Sequence, residues 1–121
     1  MARLFAAEGA RVVLVARDGA ELTRAAEALA AFGGAAAVHA CDIRNRQQVT
    51  STIGHIADEH GTIDVLVNDA GIIEVGPVDN MNLADFEDAM ATHFWGPLAT
   101  IRAALPFMRQ RGAKRIVNIV S

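Results

Sequence analysis

No tyrosine, one cysteine, one tryptophan and three prolines occur among the 121 residues. Without tyrosine, no phenol of this chain can give or take a proton. The lone cysteine, Cys41, cannot close an internal disulfide, and it is expected to pack as a small apolar group. Apolar runs are short. None approaches the ~20 residues of a membrane span, and the opening Arg3-Leu4-Phe5-Ala6-Ala7 is cut by Glu8 before it could form a signal-peptide core. Neither sign of charge dominates: 11 Lys and Arg face 14 Asp and Glu, interleaved, for a net charge of −3. That balance argues against a nucleic acid or an anionic membrane as partner. A cytoplasmic location is the default expectation.

What the chain does have is apolar content, 52% of residues, much of it alanine. A chain of this length can bury roughly two-thirds of its unfolded surface, enough for one domain. Strand and helix patterns alternate along it. Val12–Ala16 reads as a buried strand. Asp18 caps a helix over 18–31, with Leu22, Ala25, Ala26 and Leu29 at helical spacing and Gly33-Gly34 as its stop. Ala36–Ala40 is a weaker strand leading to Cys41-Asp42-Ile43. A second helix is expected over 45–60, with Val49, Ile53, Ile56 and Ala57 inward and Gly61 as terminator. A strand follows at 63–67. Asn82, with Asp85 three residues on, opens the longest helix, ended by Gly112; Phe86, Met90, Phe94, Leu98, Ile101, Leu105 and Met108 fall on one side of it. Pro97 and Pro106 lie inside that pattern, so a kinked or interrupted helix is expected. The last strand spans 116–120. Strands joined by helices of this length demand parallel pairing with crossovers, hence an α/β doubly wound sheet.

The strand at 63–67 stops at Asn68-Asp69-Ala70-Gly71. An apolar strand that turns abruptly polar and then reaches glycine delivers a loop to the sheet's carboxyl edge, where open α/β sheets bind ligands. This segment resembles the Asn-Asn-Ala-Gly signature of the short-chain dehydrogenase/reductase family, with Asp69 for the second Asn. Residues 115–121, RIVNIVS, resemble the family's Ile-Val-Asn-Ile-Ser-Ser strand, whose last Ser is catalytic and falls on Ser121. Asp42-Ile43 resembles the family's Asp-Val pair, and His93-Phe94-Trp95-Gly96-Pro97-Leu98 resembles its Asn-x-x-Gly-x-Leu.

The resemblance implies a Rossmann-like fold and a hydride transfer between a nicotinamide dinucleotide and a carbonyl or alcohol substrate. It covers the whole chain, 1–121, read as part of an NAD(P)-binding domain. The first strand with its Gly-rich turn, and everything after the serine including the Tyr-x-x-x-Lys pair, would lie outside it. On that reading the isolated chain is expected to show no turnover and to be marginally folded. Its strands at 12–16 and 63–67, neighbours of the missing strand, would either pair directly or leave a split sheet. A full-length family member is expected to be a homo-oligomer.

The implied site residues are Ser121 as the group orienting the substrate carbonyl, and Arg17, Asp42, Ile43, Asn68, Ala70 and Gly71 around the cofactor. Arg17 follows the strand after which such folds read the adenosine ribose. Ala16 stands where NAD-preferring members place an acid, so NADP(H) is favoured over NAD(H), with Asp18 as a nearby carboxylate. Asp42 could accept from the adenine amine, or bond local backbone as a strand-ending Asp does. Asn68 could bond neighbouring strand rather than cofactor. Where the family's Asn holds a water in its proton relay, His93 is larger and has one acceptor nitrogen when neutral. Two other readings are weighed: a non-catalytic remnant that keeps part of the adenosine pocket or acts as an interaction module, and a receiver module with Asp69 as phosphoacceptor, discounted because it needs a lysine ending the last strand and Lys114 precedes it.

Overall fold

Three helices of this chain start where a side chain takes up backbone N–H groups that a first turn leaves bare. In the computed structural model, which describes residues 1–71, 76–110 and 112–119, Asp18 accepts from the N–H groups of Ala20 and Glu21 at 2.8 and 3.2 Å. Asn45 accepts from Gln48 at 3.1 Å. Asn82 and Asp85 close a reciprocal capping box. The elements run α1 (Ala2–Ala7), β1 (Val12–Ala16), α2 (Gly19–Ala30), β2 (Ala36–Ala40), α3 (Arg46–His60), β3 (Val65–Asn68), a 3₁₀ turn (Val78–Asn80), α4 (Leu83–Met90), a π-turn (Ala91–Trp95), α5 (Gly96–Met108) and β4 (Arg115–Asn118).

The chain divides into two compact units, Met1–Asp42 and Ile43–Ser121. In the first, β1 and β2 pair in parallel from Val12 opposite Ala36 to Ala16 opposite Ala40. The intervening α2 buries Leu22 and Leu29, the two ends of its expected stripe. Gly34 follows at a point of close approach, where an added Cβ would sit 3.0 Å from Leu29 Cγ and 3.2 Å from Ala6 Cβ. Cys41 is buried, as expected of a small apolar group.

In the second unit, β3 and β4 pair in parallel from Val65 opposite Arg115 to Asn68 opposite Asn118. Among the described residues the pairing therefore forms two separate two-stranded sheets, β1 with β2 and β3 with β4; the split arrangement is the one that forms. At the amino end, Lys114 pairs with the Asp64 carboxylate and donates to Thr62 Oγ1 at 2.9 Å. The α3 helix buries Val49, Ile53, Ile56 and Ala57, the four residues its periodicity places inward. It packs on α5. No helix of the described residues is long and apolar enough to cross a membrane.

The long helix buries a different side from the one its large apolar residues mark. Thr92, Gly96, Thr100, Ala104 and Met108, every fourth residue, are buried. Phe86, Met90, Phe94 and Leu98 stay 41, 51, 51 and 37% exposed. Small side chains let the helix approach its neighbours closely; of the bulky row, Met108 is buried, Ile101 and Leu105 are half-buried, and the first four residues are left outside. The closest point is Gly96: a Cβ there would lie 2.6 Å from Ile43 Cδ1 and 3.1 Å from the Ala91 carbonyl oxygen. The expected interruption falls at Pro97, where the π-turn ends, while α5 runs through Pro106 to Met108.

Two stability tests follow from this packing. Gly96→Ala should destabilise the chain, because overpacking costs about 1–3 kcal/mol against ~1 kcal/mol of helix propensity gained. In an Ile43→Ala background the same change should become neutral or stabilising; equal destabilisation in both backgrounds of a denaturant double-mutant cycle would exclude the contact as its cause. His60, at the end of α3, has both ring nitrogens shut away from water without a hydrogen-bond partner. The Glu59 carboxylate lies 3.8 Å from Nε2, beyond hydrogen-bond reach. His60→Phe removes that unmet demand, worth about 1–3 kcal/mol, and should raise the melting temperature by several degrees. A lowered melting temperature would count against this reading of the site.

Candidate functional site

The carboxyl ends of β3 and β4 are tied by side chains. Asn68 and Asn118 face each other in register, and the Asn68 amide donates to Asn118 Oδ1 at 2.9 Å. The hydroxyl of Thr100, on the buried side of α5, donates to Asn68 Oδ1 at 2.6 Å, and the Pro97 carbonyl is 2.9 Å from the same hydroxyl. A hydroxyl has one proton, so the two acceptors share it. Both ends of the Asn68 amide are thus engaged within the fold. The structural role weighed for Asn68 was to bond neighbouring strand backbone; its amide instead bonds side chains of β4 and α5.

Beyond that tie the chain opens a cleft of about 210 Å³, lined by Asn68, Ala70, His93, Phe94, Pro97, Asn118 and Ile119. His93 reaches it from the π-turn. The turn has a local cause: Pro97 has no N–H, and in a regular helix its ring would clash with the carbonyl four residues back, that of His93. The backbone widens instead, and the Gly96 N–H donates to the Ala91 carbonyl, five residues back. Gly71 lies against the His93 ring. A Cβ there would lie 2.9 Å from His93 Cε1, so the ring rests where only a glycine leaves room.

The other sequence-derived residues are placed as follows. Ala70 lines the cleft and Gly71 backs His93. Ile43 is half-buried, with the end of its side chain against Gly96. Asp69, between Asn68 and Ala70, is exposed and not part of the cleft wall. In the first unit, Arg17 and Asp42 follow β1 and β2 at the same carboxyl edge, where the Cys41 N–H donates to the Ala16 carbonyl at 2.8 Å. Arg17 is exposed and Asp42 half-buried. The Asp18 carboxylate, the possible competitor of Arg17, is occupied in capping α2. Ser121 lies outside the described residues.

Sequence reasoning did not single out Thr100 or Asn118 as site residues. Asn118 sits inside the RIVNIVS motif, which was the available signal; Thr100 carried none. The receiver alternative loses its geometry. Lys114 pairs with Asp64 at the amino end of its strand, whereas Asp69 follows the carboxyl end of β3. Among the described residues no cluster of three His, Cys, Asp or Glu could hold a metal ion.

Known proteins share this fold. The chain is 38% identical over its full length to the ketoacyl reductase HetN of Nostoc sp., of which it spans 42%. A metagenomic short-chain oxidoreductase solved in complex with NADP superposes with a TM-score of 0.91 at 36% identity, over 99% of this chain and 55% of that one. Actinorhodin polyketide ketoreductase, solved with NADPH, gives 0.93 at 30% identity, over 99% of this chain and 47% of that one. The chain thus spans about half the length of these relatives. With the short-chain dehydrogenase family model matching residues 1–121, and with the parallel α/β architecture in place, the chain belongs to the short-chain dehydrogenase family.

Proposed function

We propose that residues 1–121 are part of an NAD(P)-binding Rossmann-like domain, in an oxidoreductase that transfers hydride between NADP(H) and a small carbonyl or alcohol substrate. The observation that carries the cofactor choice is at the end of β1. Arg17 is exposed there, Ala16 offers no acid, and Asp18 is committed to the α2 N-cap. A guanidinium fits the 2′-phosphate of NADP(H), for which a carboxylate would be repulsive. The cofactors named in the two solved relatives, NADP and NADPH, agree with that chemistry.

Each remaining residue has a role on this reading. Asp42 accepts from the exocyclic amine of the adenine. The part of Ile43 not covered by Gly96 packs on the ring. Ala70 and Gly71 let backbone lie close to the ribose, and Asn68 holds the strand ends that carry them. Ser121 orients the substrate carbonyl and stabilises negative charge developing on its oxygen. The nicotinamide, when bound, supplies the hydride chemistry. A cytoplasmic location and a homo-oligomeric full-length protein belong to the same proposal.

Removing the guanidinium tests it. Charge-assisted contacts to a phosphate are worth about 1.5–3 kcal/mol, so Arg17→Ala should weaken NADPH binding at least about tenfold and leave NADH affinity unchanged. Fluorescence titration of both cofactors into both proteins measures this. Equal NADPH affinity in the two would remove Arg17 from the site.

A further inference from the structure

Thr92 and Thr100 are the buried polar residues among those described. Thr100 stands between Gly96 and Ala104 in the row by which α5 packs, where a small side chain suffices and fit alone does not require a hydroxyl. A threonine in a helix ordinarily spends its proton on a carbonyl three or four residues back. Thr100 has that option in Pro97, at 2.9 Å, yet its shorter contact is with Asn68 Oδ1 at 2.6 Å. That length belongs to an O–H···O bond and is short for an amide N–H. The Asn68 oxygen therefore faces α5, and its N–H₂ is turned to β4, where it meets Asn118 Oδ1 at 2.9 Å. One hydroxyl sets the sense of both amides. Burial falls along the same path, from buried Thr100 through half-buried Asn68 to exposed Asn118. An exposed amide is free to turn toward water, so the outer bond depends on a donor oriented from within.

Resting on the oxidoreductase reading above, we propose that Thr100 is a positioning residue for the dinucleotide, acting through Asn68 to hold Ala70 and Gly71 against the ribose. Asn68 and Asn118 are the last residues of β3 and β4, and Ala70 and Gly71 follow Asn68 after a single residue. With the hydroxyl present, the Asn68 amide has one satisfied orientation, and the two strand ends keep one spacing. Without it, either orientation of the amide leaves a polar group unpaired against α5. The bond to Asn118 then weakens, and the backbone that must lie close to the cofactor no longer holds one position. Thr100 reaches the site only through this amide, so its effect falls on cofactor affinity.

NADPH is the probe, titrated by fluorescence. Thr100→Val keeps the branched shape and removes the hydroxyl; it should weaken NADPH binding at least about fivefold. Thr100→Ser, which keeps the hydroxyl, should restore the wild-type affinity. Asn118→Ala should weaken binding too, and the double variant should lose no more than the larger single loss, because both changes act through one amide. In NMR spectra the side-chain N–H₂ signals of Asn68 should shift in Thr100→Val and return in Thr100→Ser. If Thr100→Val does not fold, Thr100→Ser against Thr100→Ala repeats the comparison with the same hydroxyl, and the serine protein should bind NADPH at least about fivefold tighter. Unchanged affinity on loss of the hydroxyl, an equal loss in Thr100→Ser, or additive losses in the double variant overturns the proposal while wild type binds NADPH. A wild type that does not bind NADPH overturns the oxidoreductase reading, and this inference with it.

Discussion

The tie between Asn68, Asn118 and Thr100 is the contact on which the cleft depends. Parallel strands present their hydrogen bonds along their length, but their ends diverge unless something holds them. Here one amide spans the register partner on β4 and the buried side of α5. Neighbouring backbone continues the pairing, with the Ile119 N–H donating to the Asn68 carbonyl at 2.9 Å. Everything that lines the cleft is attached to one of these three elements or to the π-turn beside them. Because the polar groups involved satisfy one another, loss of any one leaves its partners in want of a hydrogen bond, which costs more than the bond itself contributes.

Local signals in the sequence reported local structure well. The cap at Asp18, the helix start at Asn82 and the inward residues of α3 were all legible, because each is decided within one or two turns of helix. The strands were legible as elements, though not in their bounds. The strand expected at 63–67 forms as Val65–Asn68, since Asp64 is drawn off by Lys114 and its carbonyl accepts from Arg115. The buried side of the long helix was not legible. Its marker is a row of small residues, and of the large apolar side chains at helical spacing only Met108 lies in that row. The Thr100–Asn68 contact joins residues 32 apart, and nothing in either neighbourhood announces the other.

The π-turn shows both limits together. A break at Pro97 followed from the proline's missing N–H. That the backbone would answer by widening rather than ending depended on Gly96, which has room for neither a side chain nor a straighter path beside Ile43. The same glycine therefore accounts for the tight packing of the unit and for the placement of the histidine that lines its cleft.

Asp18 illustrates how one carboxylate can hold two properties of a protein together. Its oxygen closes the first turn of α2 through two N–H groups, at the very edge where a dinucleotide's ribose would be read. A lineage that moved from a phosphorylated to an unphosphorylated dinucleotide would gain nothing by re-aiming this side chain, since the helix start would be lost in exchange. The open route is a new acid at Ala16, whose neighbours carry no such obligation. On the proposed function, preference for one dinucleotide and the integrity of a helix would be coupled at one residue and separable at the residue two places before it.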